Sequence, residues 1–204
     1  MARTLFVGDV HGCADELAAL LRVAAPSRVF LLGDVFSKGP DPEGVWSLVV
    51  AARARGVLGN HDAAMLIPSR RRSSALPSDA LAWLDSQPLM RKGRTADGRG
   101  WRAVHAGMNP VEGARGTTRA MALNVRRFPD DRDPSNPFWW HDYRRRRLVL
   151  YAHDARRGLV DRRPWTLGLD TGCVYGGALT GYLLEEDRLL QVPARQIHVD
   201  PLAR

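Results

Sequence analysis

Residues Thr4 to Gly12 read TLFVGDVHG, a short apolar run that stops at a glycine and then offers Asp9 and His11 one residue apart. The apolar run suits a buried strand, and the turn after it can present both side chains to one cation. Alone the pair means little, because Asp-x-His occurs by chance in turns. The same arrangement recurs along the chain, however. Val29 to Leu32 runs into GDVFSKGP, where Gly33 and Gly39 let the backbone bend closely around whatever Asp34 binds. Gly56 to Leu58 leads to Asn60 and His61, Trp101 to Val104 to His105, and Leu148 to Ala152 to His153. A strand-end histidine is ordinarily structural, but five strand ends that each close on a carboxylate, imidazole or carboxamide point to one shared site.

Between the first two strands, Ala14 to Ala25 carries Leu17, Leu20, Leu21 and Val23, near the spacing of one buried helix face. Pro42 to Arg55 reads the same way through Val45, Leu48, Val49 and Ala52. This alternation predicts an α/β protein whose sheet is covered on both faces and whose function sits at the strand ends. Ser69 to Asp79 and Pro129 to Pro137 read as surface excursions able to cap a site, with plain solvated loops as the simpler reading.

Length and composition set outer bounds. A chain of 204 residues, 45% hydrophobic, predicts one domain over residues 1–204. The start leaves no room for a signal peptide, and no apolar stretch reaches transmembrane length, so the expectation is a cytoplasmic protein without a membrane partner. Two cysteines, Cys13 and Cys173, give no disulfide framework or zinc-finger spacing. A net charge of +8 and a pI of about 10.4 would suit a polyanionic partner. Lys38 and Lys92 are the only lysines, so the codon usage of a GC-rich genome explains the arginine excess equally well. Arg144 to Arg147 precede a strand, which would aim alternate arginines at opposite faces. A solvated edge outweighs a polyphosphate or RNA contact there.

The mixed oxygen and nitrogen donors suit manganese, iron, cobalt or zinc better than magnesium or calcium. Two divalent ions fit the set, one on Asp9 and His11, a second on Asn60, His105 and His153, with Asp34 bridging them at about 3.5–4 Å. Such a pair would activate a water for in-line attack on phosphorus. Arg126, after a helix-like run that follows His105, is the arginine candidate for holding phosphate, against the alternative of a solvated surface residue.

The ordered set GDVHG, GDVFSKGP, GNHD, VHAG and AHD, spanning residues 5 to 180, resembles the phosphoprotein-phosphatase superfamily of dinuclear metallophosphoesterases. That resemblance implies a calcineurin-like fold, central mixed β-sheets flanked by helices. GDVHGCADEL, GNHDAAML and LDTGCVYGGALT are most similar to the symmetrical diadenosine tetraphosphatases and their relatives. The resemblance implies a hydrolase of dinucleoside polyphosphates, manganese being the favoured metal, with nucleotide-capped RNA a further substrate. The rival activity is phosphomonoester hydrolysis, including phosphoproteins. A metal-free nucleic-acid-binding relative is disfavoured because every expected ligand is present.

By the same resemblance His61 is the general acid, Asp62 its orienting partner, and Lys38 the cation facing the phosphate oxygens. Protein phosphatases carry GDxxDRG in the second motif, whose second Asp supports the catalytic histidine, whereas Ser37 and Lys38 stand here. Ala152 replaces the usual glycine before the last histidine, and the stretch from His105 to His153 is short, which would reduce the grip on a second nucleoside. Asp170, Cys173 and Tyr175 lie in GLDTGCVYGG and are expected to line the site, without a nucleophilic role for Cys173. His141 and His198 lack a motif context and read as structural.

Overall fold

The computed structural model describes residues 3–200. Its first sheet contains β1 (Thr4–Val7), β2 (Arg28–Leu31) and β3 (Arg55–Gly56). The second is built from β4 (Met90–Arg94), β5 (Gly100–Val104), β6 (Leu148–Tyr151), β7 (Val160–Arg162) and β8 (Thr166–Gly168). A final hairpin, β9 (Ala178–Leu183) and β10 (Arg188–Pro193), returns to the first sheet. The strand orders are β10-β9-β1-β2-β3 and β4-β5-β6-β8-β7. β1, β2 and β3 run parallel, as do β5, β6 and β8, while β9, β4 and β7 pair antiparallel to their neighbours. Both sheets are therefore mixed.

The two-residue period of the strands sorts their side chains into layers. Phe6, Phe30, Leu32 and Val57 from one sheet meet Trp101, Ala103, Leu150 and Leu167 from the other, forming the core between the sheets. Leu5, Val7, Val29 and Leu31 point the opposite way, against α1 (Ala14–Ala24), α2 (Pro42–Ala51) and neighbouring segments. Val104, Val149 and Tyr151 pack outward on a third cluster with Met108, Ala122 and Trp139. The result is helix, sheet, sheet, helix.

Several boundaries differ from the sequence expectations. The second helix stops at Ala51 rather than Arg55, because Arg53 adopts φ 47° and the chain turns back at once into β3. The third strand pairs only over Arg55–Gly56, one residue earlier than expected. Between Ser69 and Asp79 the chain is helical at both ends and irregular over 73–77. A short α3 (Asn60–Met65) leads to α4 (Pro68–Arg72), then α5 (Ser78–Asp85), and Leu76 is buried in the first core. Pro129 to Pro137 remains irregular, between α6 (Arg119–Asn124) and α7 (Trp139–Asp142). Arg144 to Arg147 precede β6 outside any strand, and all four line one concavity instead of splitting between faces.

Candidate metal centre

A parallel sheet brings the carboxyl ends of its strands to one edge, and here both sheets bring theirs to the same place. Asp9 follows β1, Asp34 follows β2 and Asn60 follows β3; His105 follows β5, His153 follows β6 and Asp170 follows β8. The turns that hold them are tight. His11, Asp34, Lys38 and His153 all have positive φ. Gly59 approaches so closely that a Cβ there would stand 2.3 Å from the Asp34 nitrogen, which excludes any side chain.

Asp9, Asp34 and His105 offer donor atoms that all lie within 4.8 Å of one another, and all three are buried. His105 Nε2 is 3.6 Å from Asp34 Oδ2, and His11 Nε2 is 3.7 Å from both Asp9 Oδ2 and Asp34 Oδ2. Asn60 Oδ1 sits 2.9 Å from His105 Nε2 and 3.1 Å from His153 Nδ1. Asp9, Asp34 and His105 thus form a tight group, His11 and Asn60 border it, and His153 adjoins it through Asn60.

Ligation would place each ring proton on the side away from the cluster, where every imidazole has an acceptor. His105 Nδ1 donates to the Leu32 carbonyl at 2.8 Å, leaving Nε2 with its lone pair toward the cluster. His153 Nε2 donates to the Asn124 carbonyl at 3.2 Å, leaving Nδ1 facing inward. Lys38 Nζ can only donate, so its 3.2 Å contact makes His11 Nε2 the acceptor, and His11 Nδ1 then donates to Ser37 Oγ at 2.9 Å. Each imidazole therefore has a far-side partner that suits the ligating tautomer, the arrangement that metal-binding histidines need.

The electrostatics point the same way. Burial pushes Asp34 up to about 7 and Asp9 well above the usual carboxylate range, the latter also through the charges of Asp170 and Asp34. Burial raises Asp170 as well, and its carboxyl shares a hydrogen bond with that of Asp9. Burial pushes His153 down to about 2, with the charges of His105 and Arg126 adding to it, and lowers His105. Neutral imidazoles beside crowded carboxylates are what a divalent cation requires. Asp9 Oδ1 is buried without a hydrogen-bond partner, which a ligating oxygen would be and a structural carboxylate would not. The residues fit divalent metal.

The remaining site residues divide. The His61 ring is 39% exposed, with Nε2 4.0 Å from Asp34 Oδ2, so it stands at the mouth of the cluster. Lys38 Nζ lies between His11 and Tyr175, donating to the Tyr175 hydroxyl at 2.9 Å, and its charge offsets those of Asp9 and Asp34. Arg126 Nε is 3.7 Å from Asp154 Oδ1, beside His153.

Asp62 does not support the His61 ring. It is fully buried, and its two oxygens accept the backbone N–H groups of Asp34, Val35 and Gly59. Cys173 lies in the hydrophobic core next to Cys13 rather than opening on the metals, and the pair pushes its thiol pKa up. Sequence reasoning did not assign Ser37 to His11, nor find Asp154, whose position beside His153 was an available signal. The Leu32 and Asn124 carbonyls leave no signal at all.

The calcineurin-like phosphoesterase family matches residues 2–176. The chain belongs to that family. It is a metallophosphoesterase, a hydrolase that uses divalent metal. A symmetrical bis(5'-nucleosyl)-tetraphosphatase of Paracidovorax citrulli is 32% identical over 254 aligned positions, covering 85% of this chain and 89% of its own length. One from Delftia acidovorans is 28% identical, covering 93% and 96%. The first alignment is longer than the 204-residue chain, so that relative carries segments this metallophosphoesterase lacks. The crystal structure of a candidate diadenosine tetraphosphatase superposes with a TM-score of 0.85 at 30% identity, covering 95% of this chain and 94% of that one. A serine/threonine protein phosphatase of Saccharomyces cerevisiae shares the fold, with a TM-score of 0.59 at 14% identity.

Proposed function

We propose that this metallophosphoesterase hydrolyses the phosphoanhydride bridge of diadenosine tetraphosphate or a related nucleoside polyphosphate, with two divalent ions, manganese foremost, on Asp9, His11, Asp34, Asn60, His105 and His153. The observation that carries the reading is the convergence of Asp9, Asp34 and His105 around an unpartnered Asp9 oxygen. Bound cations supply Lewis acidity, activating water and neutralising phosphate charge. The chain's own groups do the rest. His61, at the mouth, donates a proton to the leaving oxygen. Lys38 holds positive charge at the centre, and Arg126, beside Asp154 and His153, would supply a second cation to the phosphate oxygens.

The names of the relatives support a nucleotide substrate, and offer no support for capped RNA or phosphoproteins. Two free thiols support a reducing compartment, the cytoplasm, and no described helix is long and apolar enough to cross a membrane. The test is a panel under matched manganese and salt. kcat/KM for diadenosine tetraphosphate is expected to exceed that for a phosphoserine peptide by at least about tenfold, roughly 1.4 kcal/mol of transition-state preference. A preference for the phosphopeptide would overturn the substrate while leaving the metal centre standing.

A further inference from the structure

The second sheet gathers polar side chains at both ends. At the end away from His105, where β4 finishes and β5 and β6 begin, a cavity of about 990 Å³ opens, and eight of its fifteen lining residues are arginine. β5 spans five residues, so at about 3.3 Å each the cavity lies on the order of 15 Å from the metal ligands.

Those eight guanidinium charges face two carboxylates, Asp97 and Glu112, and Asp97 is held by Arg99 at 2.7 Å. Three of the others, Arg94, Arg144 and Arg145, are anchored to backbone carbonyls, which leave their charge in place, and the lining keeps six more guanidinium than carboxylate groups. Arg144 donates to the His141 and Tyr143 carbonyls at 2.8 and 2.9 Å and stacks its guanidinium 4.4 Å from the Trp165 ring. Arg145 donates to the Val111 carbonyl, and Arg94 to that of Gly98 at 3.2 Å. Glycine makes room for two stems: a Cβ on Gly100 would stand 3.0 Å from Arg147 Cγ, and one on Gly113 would stand 3.1 Å from Arg145 Nε. The crowding has a cost, since burial and then the charges of Arg147 and Arg145 lower the pKa of Arg102.

Like charges gathered this way need an anion with several charges. The lining also says what kind. Tyr143, its one aromatic, is 1% exposed, so no ring is open for a base to stack on. The lining holds no Asn or Gln to read an adenine edge, and a row of guanidinium forks matches the repeated oxygens of a phosphate chain.

We propose that this groove is a second, metal-independent site for a chain of contiguous phosphates, the chemistry shared by inorganic oligophosphate and the bridge of a dinucleoside polyphosphate. It does not rest on the metal assignment. The test titrates the full chain, stripped of metal with a chelator, with inorganic tripolyphosphate and separately with diadenosine tetraphosphate. Saturable binding of tripolyphosphate that weakens with salt is expected. Arg115 and Arg146 are exposed, so Arg115→Gln with Arg146→Gln should weaken it at least tenfold while manganese-dependent turnover of para-nitrophenyl phosphate is unchanged. Tighter binding of the dinucleotide names its bridge as the source, and the reverse order names the inorganic chain; either supports the site. Undiminished binding by the double variant would overturn it. So would a parallel loss of turnover, or tighter binding of single-stranded RNA at equal charge.

Discussion

Asp62 holds Asp34 in place: its Oδ2 accepts the Asp34 backbone N–H at 2.8 Å and its Oδ1 that of Val35 at 3.0 Å, while Asp34 Oδ1 accepts the His61 N–H at 2.9 Å. The two aspartates thus bind the second and third motif turns to each other, and every ligand on those turns depends on the pair. Asp62→Asn replaces an acceptor with a donor against a buried N–H, which should cost about 1–3 kcal/mol of stability by urea unfolding. A variant of unchanged stability whose rate loss depended on the leaving group would return Asp62 to a catalytic role.

His61 should behave in the opposite way. Its ring is half-exposed and lies outside the buried ligand group, so His61→Asn is expected to keep its metal and fold while losing roughly 10²–10⁴-fold in rate. The loss should shrink for substrates with good leaving groups. Equal losses for para-nitrophenyl phosphate and an alkyl phosphate would assign the ring another task.

The buried carboxylates also set a pH dependence. Asp34 and Asp62 are raised from 3.8 to about 7 by burial, so between those values the folded chain binds more protons than the unfolded one. His153 and His105, lowered by burial, pull the other way below 6.5, but Asp9 and Asp170 are raised as well. The carboxylates therefore outnumber them, and stability of the metal-free protein declines as pH rises from the lower value through the upper one. Manganese favours the ionised carboxylates, so its stabilising effect should grow across the same window. Thermal unfolding of the stripped chain at about pH 5 and about pH 7 reads this directly. A Tm that rose with pH without metal would contradict it.

Much of this site was legible in the sequence because it is local. Each expected ligand follows an apolar strand within a few residues, and the parallel order of those strands brings them together whatever the details of the loops. Strands β4 and β7 to β10 went unread, β8 among them although Asp170 follows it, and the mixed sheets came from the family resemblance alone, since periodicity does not say which strands pair. Asp62 was misread for a related reason. Adjacency to His61 suggested a side-chain partner, but the first turn of a helix aims that carboxylate back at orphan backbone N–H groups. Arg144 to Arg147 were read by strand alternation, and they lie just outside the strand.

With two divalent ions bound, Asp34 would be a ligand of both. Metal analysis of the purified chain, read together with turnover, tests it most directly. The parent should bind two divalent ions per chain and lose activity when stripped. Asp34→Asn should lose both metal and activity, with the fold retained. A stripped chain with full turnover, or an Asp34→Asn protein that keeps two ions and its rate, would contradict the account.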